Sequence, residues 1–214
     1  MFKLLSAMLV TTVALGAATQ AEAQVKPKAS LQPVAQAAKP VLPNSPTAFV
    51  QGIDQKVKPM LANTAQYKNK ILGILNQMLD FPTLCKDSLG KHWEGKTDAQ
   101  RKEFSDTLHA LIEKNVVKRL RDTRNHKIKY QSEEVAGSSA TVVTIVSDGD
   151  GPRAQQLEIA YKLQKRGKSW IVVDMLTDGV SLVSNYRSQF NKIITQDGWD
   201  AVIKKMKDKL AEPD

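Results

Sequence analysis

After Arg124-Asn125 the spacing of apolar residues changes from helical to alternating, and that change limits the folds this chain can adopt. Upstream, Phe104, Leu108, Leu111, Ile112 and Val116 recur every three or four positions, continuing to Leu120, as one buried stripe of a long helix does. Downstream, four segments read as strands: Lys127 to Glu134, Ala140 to Ser147, Gln155 to Gln164 and Ser169 to Leu176. Asp148-Gly149-Asp150-Gly151-Pro152 and Arg166-Gly167 are turn sequences that join strands as hairpins. In the third segment Leu157, Ile159, Tyr161 and Leu163 face one way and Glu158 and Lys162 the other, so one face is buried and one is wet.

The helices before the strands have clear starts and stops. Ser45-Pro46 is an N-cap followed by proline at the first helical position, after which Phe49, Val50, Ile53 and Val57 recur with helical spacing until Pro59 ends or kinks the helix. A second helix is expected from about Thr64 to Leu79, with Tyr67, Ile71, Leu75, Met78 and Leu79 on its apolar side. A short third follows Phe81-Pro82 and stops near Leu89-Gly90. Thr97-Asp98-Ala99-Gln100 is a capping box that opens the long helix. After the fourth strand the run Trp170 to Phe190 reads as strand, glycine turn and amphipathic helix, with Val180, Val183, Arg187 and Phe190 at helical spacing. Two closing helices, about Val180 to Gln196 and Trp199 to Leu210, flank Asp197-Gly198. Helices, then a meander, then helices specify an α+β domain with the helices packed on one face of a four-stranded antiparallel sheet.

The first 23 residues read as a secretory signal peptide: Lys3, an apolar run from Leu4 to about Gly16, and Ala21-Glu22-Ala23 as the cleavage site. The apolar run is shorter than the roughly 20 residues a bilayer span needs. Residues 24–44 form a linker in which Pro27, Pro33, Pro40 and Pro43 interrupt an Ala/Gln/Lys-rich stretch, and residues 45–214 form the folded domain. The lone Cys85 has no intramolecular disulfide partner and suits a buried position. A formal charge of +9 survives cleavage, since Lys3 and Glu22 leave together. Such a surplus fits an acidic partner, an anionic membrane surface or a merely solubilising exterior. Secretion and the lack of a basic-aromatic array disfavour nucleic acid.

No residue set announces catalysis. Asp174 and Asp178 flank a strand end and read as a helix cap and a turn residue rather than a catalytic pair. Ser181 follows Gly179, but the nucleophile-elbow pattern fails at Val183. His92, His109 and His126 lack metal spacing, and His109 beside Leu108 reads as a boundary or core residue. Lys114, Lys118, Arg119, Arg121 and Arg124 follow the long helix, while Lys204, Lys205, Lys207 and Lys209 crowd the last. Either group could complement a helix C-terminus or meet a membrane or acidic partner.

Several of these segments, in order, resemble one family. They are Leu89-Gly90-Lys91-His92-Trp93, Thr97 to Arg101, Tyr161, Trp170 to Asp174, Asp178-Gly179-Val180-Ser181, Tyr186 to Phe190 and Asp197-Gly198. Together the chain is similar to the MlaC, or toluene-tolerance, family of Mla-type periplasmic phospholipid carriers. Val116 departs from the pattern, standing where many members carry an aromatic, and bears on the shape of a cavity wall. The resemblance implies an apolar cavity that takes the acyl chains of a glycerophospholipid and leaves the head group in water. It implies a periplasmic, non-enzymatic carrier without a cofactor, the phospholipid being cargo. Such a carrier moves lipid between an outer-membrane lipoprotein complex and an inner-membrane ABC transporter complex, with transient membrane contact, so maintaining outer-membrane lipid asymmetry. The faces expected to line the cavity are Val143, Ile145, Leu157, Ile159 and Tyr161 on strands and Leu108, Ile112, Val183 and Phe190 on helices. As stripes alone these are core positions, and only the resemblance makes them a lining. Two other readings stay open: a small NTF2-like enzyme acting on a hydrophobic substrate, which would need acid and base groups inside the cavity, and a periplasmic scaffold with a solid core.

Overall fold

The computed structural model describes residues 44–120, 126–149 and 154–213. The expected signal peptide, the linker up to residue 43, Arg121, Arg124 and the Asp150-Gly151-Pro152 turn lie outside the described residues.

Among the described residues every α-helix but the last, which follows Gly198, begins where its own sequence supplies a side-chain cap. Helix α1 (Pro46–Val57) starts at Ser45, whose Oγ accepts the Ala48 N–H at 3.1 Å. A 3₁₀ stretch (Lys58–Asn63) follows, because Pro59 has no N–H to extend the α-helix. Helix α2 (Thr64–Met78) is capped by Asn63 and α3 (Phe81–Leu89) by Asp80, whose Oδ1 accepts the Thr83 N–H at 3.2 Å. Helix α4 (Asp98–Leu120) opens on the reciprocal Thr97–Gln100 box, with Thr97 N–H to Gln100 Oε1 at 3.0 Å and Gln100 N–H to Thr97 Oγ1 at 3.3 Å. Helices α5 (Leu182–Asp197) and α6 (Trp199–Ala211) close the chain.

The sheet has five antiparallel strands in the order β1-β2-β3-β4-β5, not four. They are β1 (Lys127–Ala136), β2 (Ser139–Ser147), β3 (Gln156–Arg166), β4 (Ser169–Thr177) and β5 (Val180–Ser181). The fifth arises because Asp178 and Gly179 take φ of 47° and 79°, the left-handed pair of a two-residue hairpin turn. Val180-Ser181 therefore folds back on Leu176-Thr177 instead of starting a helix. Val180 is 50% exposed and leaves the apolar stripe, which in α5 is Leu182, Val183, Tyr186, Phe190 and Ile193.

A bulge sets the inward face of β4. Lys162 pairs with Asp174 and Leu163 with Val172, leaving Val173 unopposed. The extra residue shifts the phase, so Trp170 and Val172 before it and Met175 and Thr177 after it are all buried. Without it Asp174 would follow Val172 into the core. The α2–α3 junction covers the free edge of β4: Leu79 bridges Val172, the Asp80 N–H donates to the Val172 carbonyl at 2.9 Å, and Arg166 pairs with the Asp80 carboxylate.

The interior has two unlike parts. Leu84, Leu89, Phe104, Leu108, Phe190, Val202 and Met206 are almost fully buried where α3, α4, α5 and α6 meet. There Phe104 meets Phe190 edge-on at 5.1 Å and Tyr186 stacks on Phe190 at 5.6 Å. The other part, between α1, α2 and the sheet, is hollow.

Candidate functional site

The hollow is an apolar cavity of about 190 Å³. Helix α1 contributes Val50, Ile53 and Val57, which one helical face brings together. Helix α2 adds Ile71, Ile74, Leu75 and Met78, while Leu61 and Leu79 come from the flanking segments and Val116 from the end of α4. The floor is the sheet: Ile128 and Tyr130 of β1, Val146 of β2, Ile159 and Tyr161 of β3, Met175 and Thr177 of β4. An apolar cavity of roughly 150 Å³ stays dry and takes apolar guests.

Polar groups on this wall are few. Asp54 stands in the α1 stripe one residue after Ile53, and Lys58 follows one turn later. Burial raises the Asp54 carboxyl above its ordinary range, and the Lys58 charge opposes the shift. The Tyr161 phenol is pushed up to about 12 by burial and then by the Asp54 charge, against a hydrogen bond with Thr144. Burial, Asp54 and Tyr161 raise the Tyr130 phenol further. The Tyr130 hydroxyl is closed off from water and has no hydrogen-bond partner among the described residues.

Of the residues expected to line a cavity, Ile159 and Tyr161 do so. Leu157 lies on the same face of β3, 2% exposed, outside the cavity. Leu108, Ile112 and Phe190 are buried in the packed core, and Val183 is buried in the first turn of α5. Val143 and Ile145 are half-buried on the opposite face of β2. The run Ala140 to Val146 is apolar or Thr at every position, so alternation alone cannot choose its face. Register decides: Val142, Thr144 and Val146 pair with Tyr161, Ile159 and Leu157 and turn inward. Thr144 is tolerated there because its hydroxyl donates to the Ile159 carbonyl at 3.2 Å.

The α1 and α2 walls were not anticipated as lining. Their one sequence signal is Asp54, a carboxylate among Val50, Ile53 and Val57 in a helix stripe. On β1, Ile128 and Tyr130 alternate with Lys127, Lys129 and Gln131, which marks an inward face.

The other candidates have structural partners. Asp174 receives three hydrogen bonds at the start of α5, and Asp178 Oδ1 accepts the Glu158 N–H at 3.2 Å. His92 Nε2 meets Asn191 at 3.0 Å, His109 Nε2 meets Asn76 at 2.8 Å, and His126 lines the cavity. Lys204, Lys205, Lys207 and Lys209 each pair with an acid: Asp208, Asp197, Glu103 and Glu212. Among the described residues no cluster of His, Cys, Asp or Glu is placed to hold a metal, and no helix is long and apolar enough to cross a membrane.

A family model described as MlaC protein matches residues 47–208, which spans all of the cavity wall. The chain belongs to the MlaC family. Within that family it is 28% identical over 127 residues to the intermembrane phospholipid transport system binding protein MlaC of Haemophilus influenzae. The match covers 58% of this chain and 59% of that relative's length. A solved phospholipid-binding protein from Ralstonia solanacearum, in complex with a phospholipid, superposes with a TM-score of 0.66 at 19% identity. That match covers 77% of this chain and 96% of the Ralstonia chain and establishes the shared fold. On this MlaC fold Val116, the departure from the family pattern, lies on the cavity wall.

Proposed function

We propose that this MlaC-family chain is a periplasmic phospholipid carrier that takes a glycerophospholipid's acyl chains into the α1–α2–sheet cavity. It passes the lipid between an outer-membrane lipoprotein complex and an inner-membrane ABC transporter complex, touching membranes only transiently, and so helps keep the outer membrane asymmetric. The observation that carries the reading is an apolar hollow beside a solid helical core on a fold shared with a protein described in complex with a phospholipid.

The chemistry required is burial alone. Each methylene removed from water is worth about 0.8 kcal/mol, so the gross gain grows with the length of acyl chain the cavity covers. Because the lipid leaves one hydrocarbon phase for another, the net exchange with a membrane is close to balanced. Direction comes from partners that bind loaded and empty carrier differently. An enzyme would need an acid and a base arranged around a substrate. Asp54, Lys58 and His126 line this cavity, but the Tyr130 hydroxyl on the same wall donates to none of them.

Mass spectrometry of an organic extract from the protein, purified from periplasm without detergent, tests the reading. Stoichiometric glycerophospholipid is the expected result. A clean extract from folded protein would transfer weight to the enzyme or the scaffold.

A further inference from the structure

We infer that the Tyr130 hydroxyl is the hydrogen-bond donor for an ester carbonyl of a diacyl lipid held in the cavity, which makes the site selective for esters over ethers. The inference rests on the carrier reading and adds a specificity-determining residue to it.

Tyr130 lines the cavity from β1, and its hydroxyl is buried without a partner. A buried hydroxyl left unpaired is costly, and native structures rarely keep one unless something outside the protein chain satisfies it. The neighbouring phenol differs: the Tyr161 hydroxyl is not left buried without a partner, and Thr144 beside it offsets part of the rise in its pKa. Among the described residues Tyr130 therefore brings to a mostly apolar wall, shared with Asp54, Lys58, His126 and Tyr161, a phenol whose hydroxyl is shut off from water and has no partner.

Charge narrows what that donor meets. Asp54 acts on both phenols in the sense that opposes negative charge beside them, as burial does. A phosphate is thus disfavoured next to Tyr130, while a neutral acceptor is not. Lys58, exposed and one turn beyond Asp54, is the cation on this wall, and it lies toward solvent, where a phosphate belongs. In a glycerophospholipid the neutral acceptors between phosphate and hydrocarbon are the ester carbonyls. A dialkyl lipid with the same head group and chain length keeps only ether oxygens, which are weaker acceptors.

The test is competitive loading of the purified protein from vesicles holding equal amounts of diacyl and dialkyl phosphatidylethanolamine of matched chain length. Captured lipid is read by mass spectrometry. Wild type should take the diacyl lipid on the order of five- to tenfold in excess, the range a single net hydrogen bond supports. Tyr130→Phe should bring the ratio to about one while total capture stays within roughly twofold, since one hydroxyl is lost and the apolar lining kept. Tyr161→Phe should keep the wild-type ratio. An even ratio in wild type, or an unchanged ratio in Tyr130→Phe, would overturn the inference and leave the carrier reading standing. A wild type that captures neither lipid overturns both.

Discussion

Asp174 Oδ1 accepts the backbone N–H of Val183 at 3.1 Å, and that bond fastens β4 to the first turn of α5. The same oxygen takes the Met175 N–H at 2.9 Å, and Oδ2 takes the Ser181 hydroxyl at 2.7 Å. Ser181 in turn accepts the Ser184 N–H at 3.0 Å. One carboxylate thus orients the bulged strand end and serves the orphan donors of a helix start, where negative charge is also favoured by the dipole.

Replacing it should be expensive. Asp174→Ala removes three hydrogen bonds and is expected to cost about 2–3 kcal/mol in urea unfolding. The lipid held per folded molecule should not change, because Asp174 is not on the cavity wall. Stability within about 0.5 kcal/mol of wild type would show that water replaces these bonds.

The hollow and solid parts of the interior should respond oppositely to substitution. Val116→Phe adds a ring to the cavity wall and should reduce lipid loading without loss of stability in the empty protein. Leu108→Ala opens space in the packed core, where Leu108 is 0% exposed, and should cost about 2–5 kcal/mol. Its surviving folded fraction should load lipid normally. Paired measurements of lipid content and unfolding midpoint check both outcomes.

Cys85 gives the pH dependence. Burial pushes its thiol from the ordinary 9.0 up to about 11. The raised value in the folded state means the neutral thiol's contribution to stability is whole below pH 9.0 and is lost as pH rises to about 11. At pH 8 the folded protein should react with a thiol reagent only as fast as it opens, and guanidinium should release the full reaction. Rapid labelling of native protein would contradict the burial of Cys85.

Two glycines allow a controlled comparison. Gly90 and Gly137 take φ of 56° and 61°. A Cβ on Gly90 would lie 3.1 Å from Arg187 Cδ, while one on Gly137 would meet nothing within 4 Å. Both alanine variants are strained at positive φ, and Gly90→Ala the more so, because the Gly90 ψ of −127° lies outside the left-handed helical well that an L residue can enter. Gly90→Ala should cost more, because Arg187, which donates to the Asp87 carbonyl at 2.7 Å, must also shift. Equal melting temperatures for the two variants would contradict both the backbone and the Arg187 contributions at Gly90.

Much of the fold was legible because each element carried its own signal. Ser45, Thr97 and Gly90 mark helix ends by local chemistry, and the alternation of Leu157, Ile159, Tyr161 and Leu163 reads directly as a strand face. What escaped was set by pairing between segments. The face of β2 depends on its register with β3, since Val142 and Val143 are equally apolar. The fifth strand depends on Asp178 adopting positive φ, which an aspartate does in few contexts. The lining escaped for a related reason. A stripe such as Val50, Ile53 and Val57 looks the same whether it packs against side chains or borders a void, and only the assembled fold separates the two.

A domain that is solid on one side and hollow on the other does not hold its parts with equal tenacity. The four helices around Phe104 and Phe190 share a dense interior, whereas α1 and α2 close over empty space and are joined by a proline-broken 3₁₀ stretch. Opening the α1–α2 cover exposes less apolar contact than opening the rest, so its amides should exchange with solvent sooner. A guest that fills the void supplies the contacts the cover lacks, and by mass action it raises the melting temperature as its concentration rises. On the proposed function, a bound lipid is then part of the protein's own interior, and the empty protein is the less complete molecule of the two.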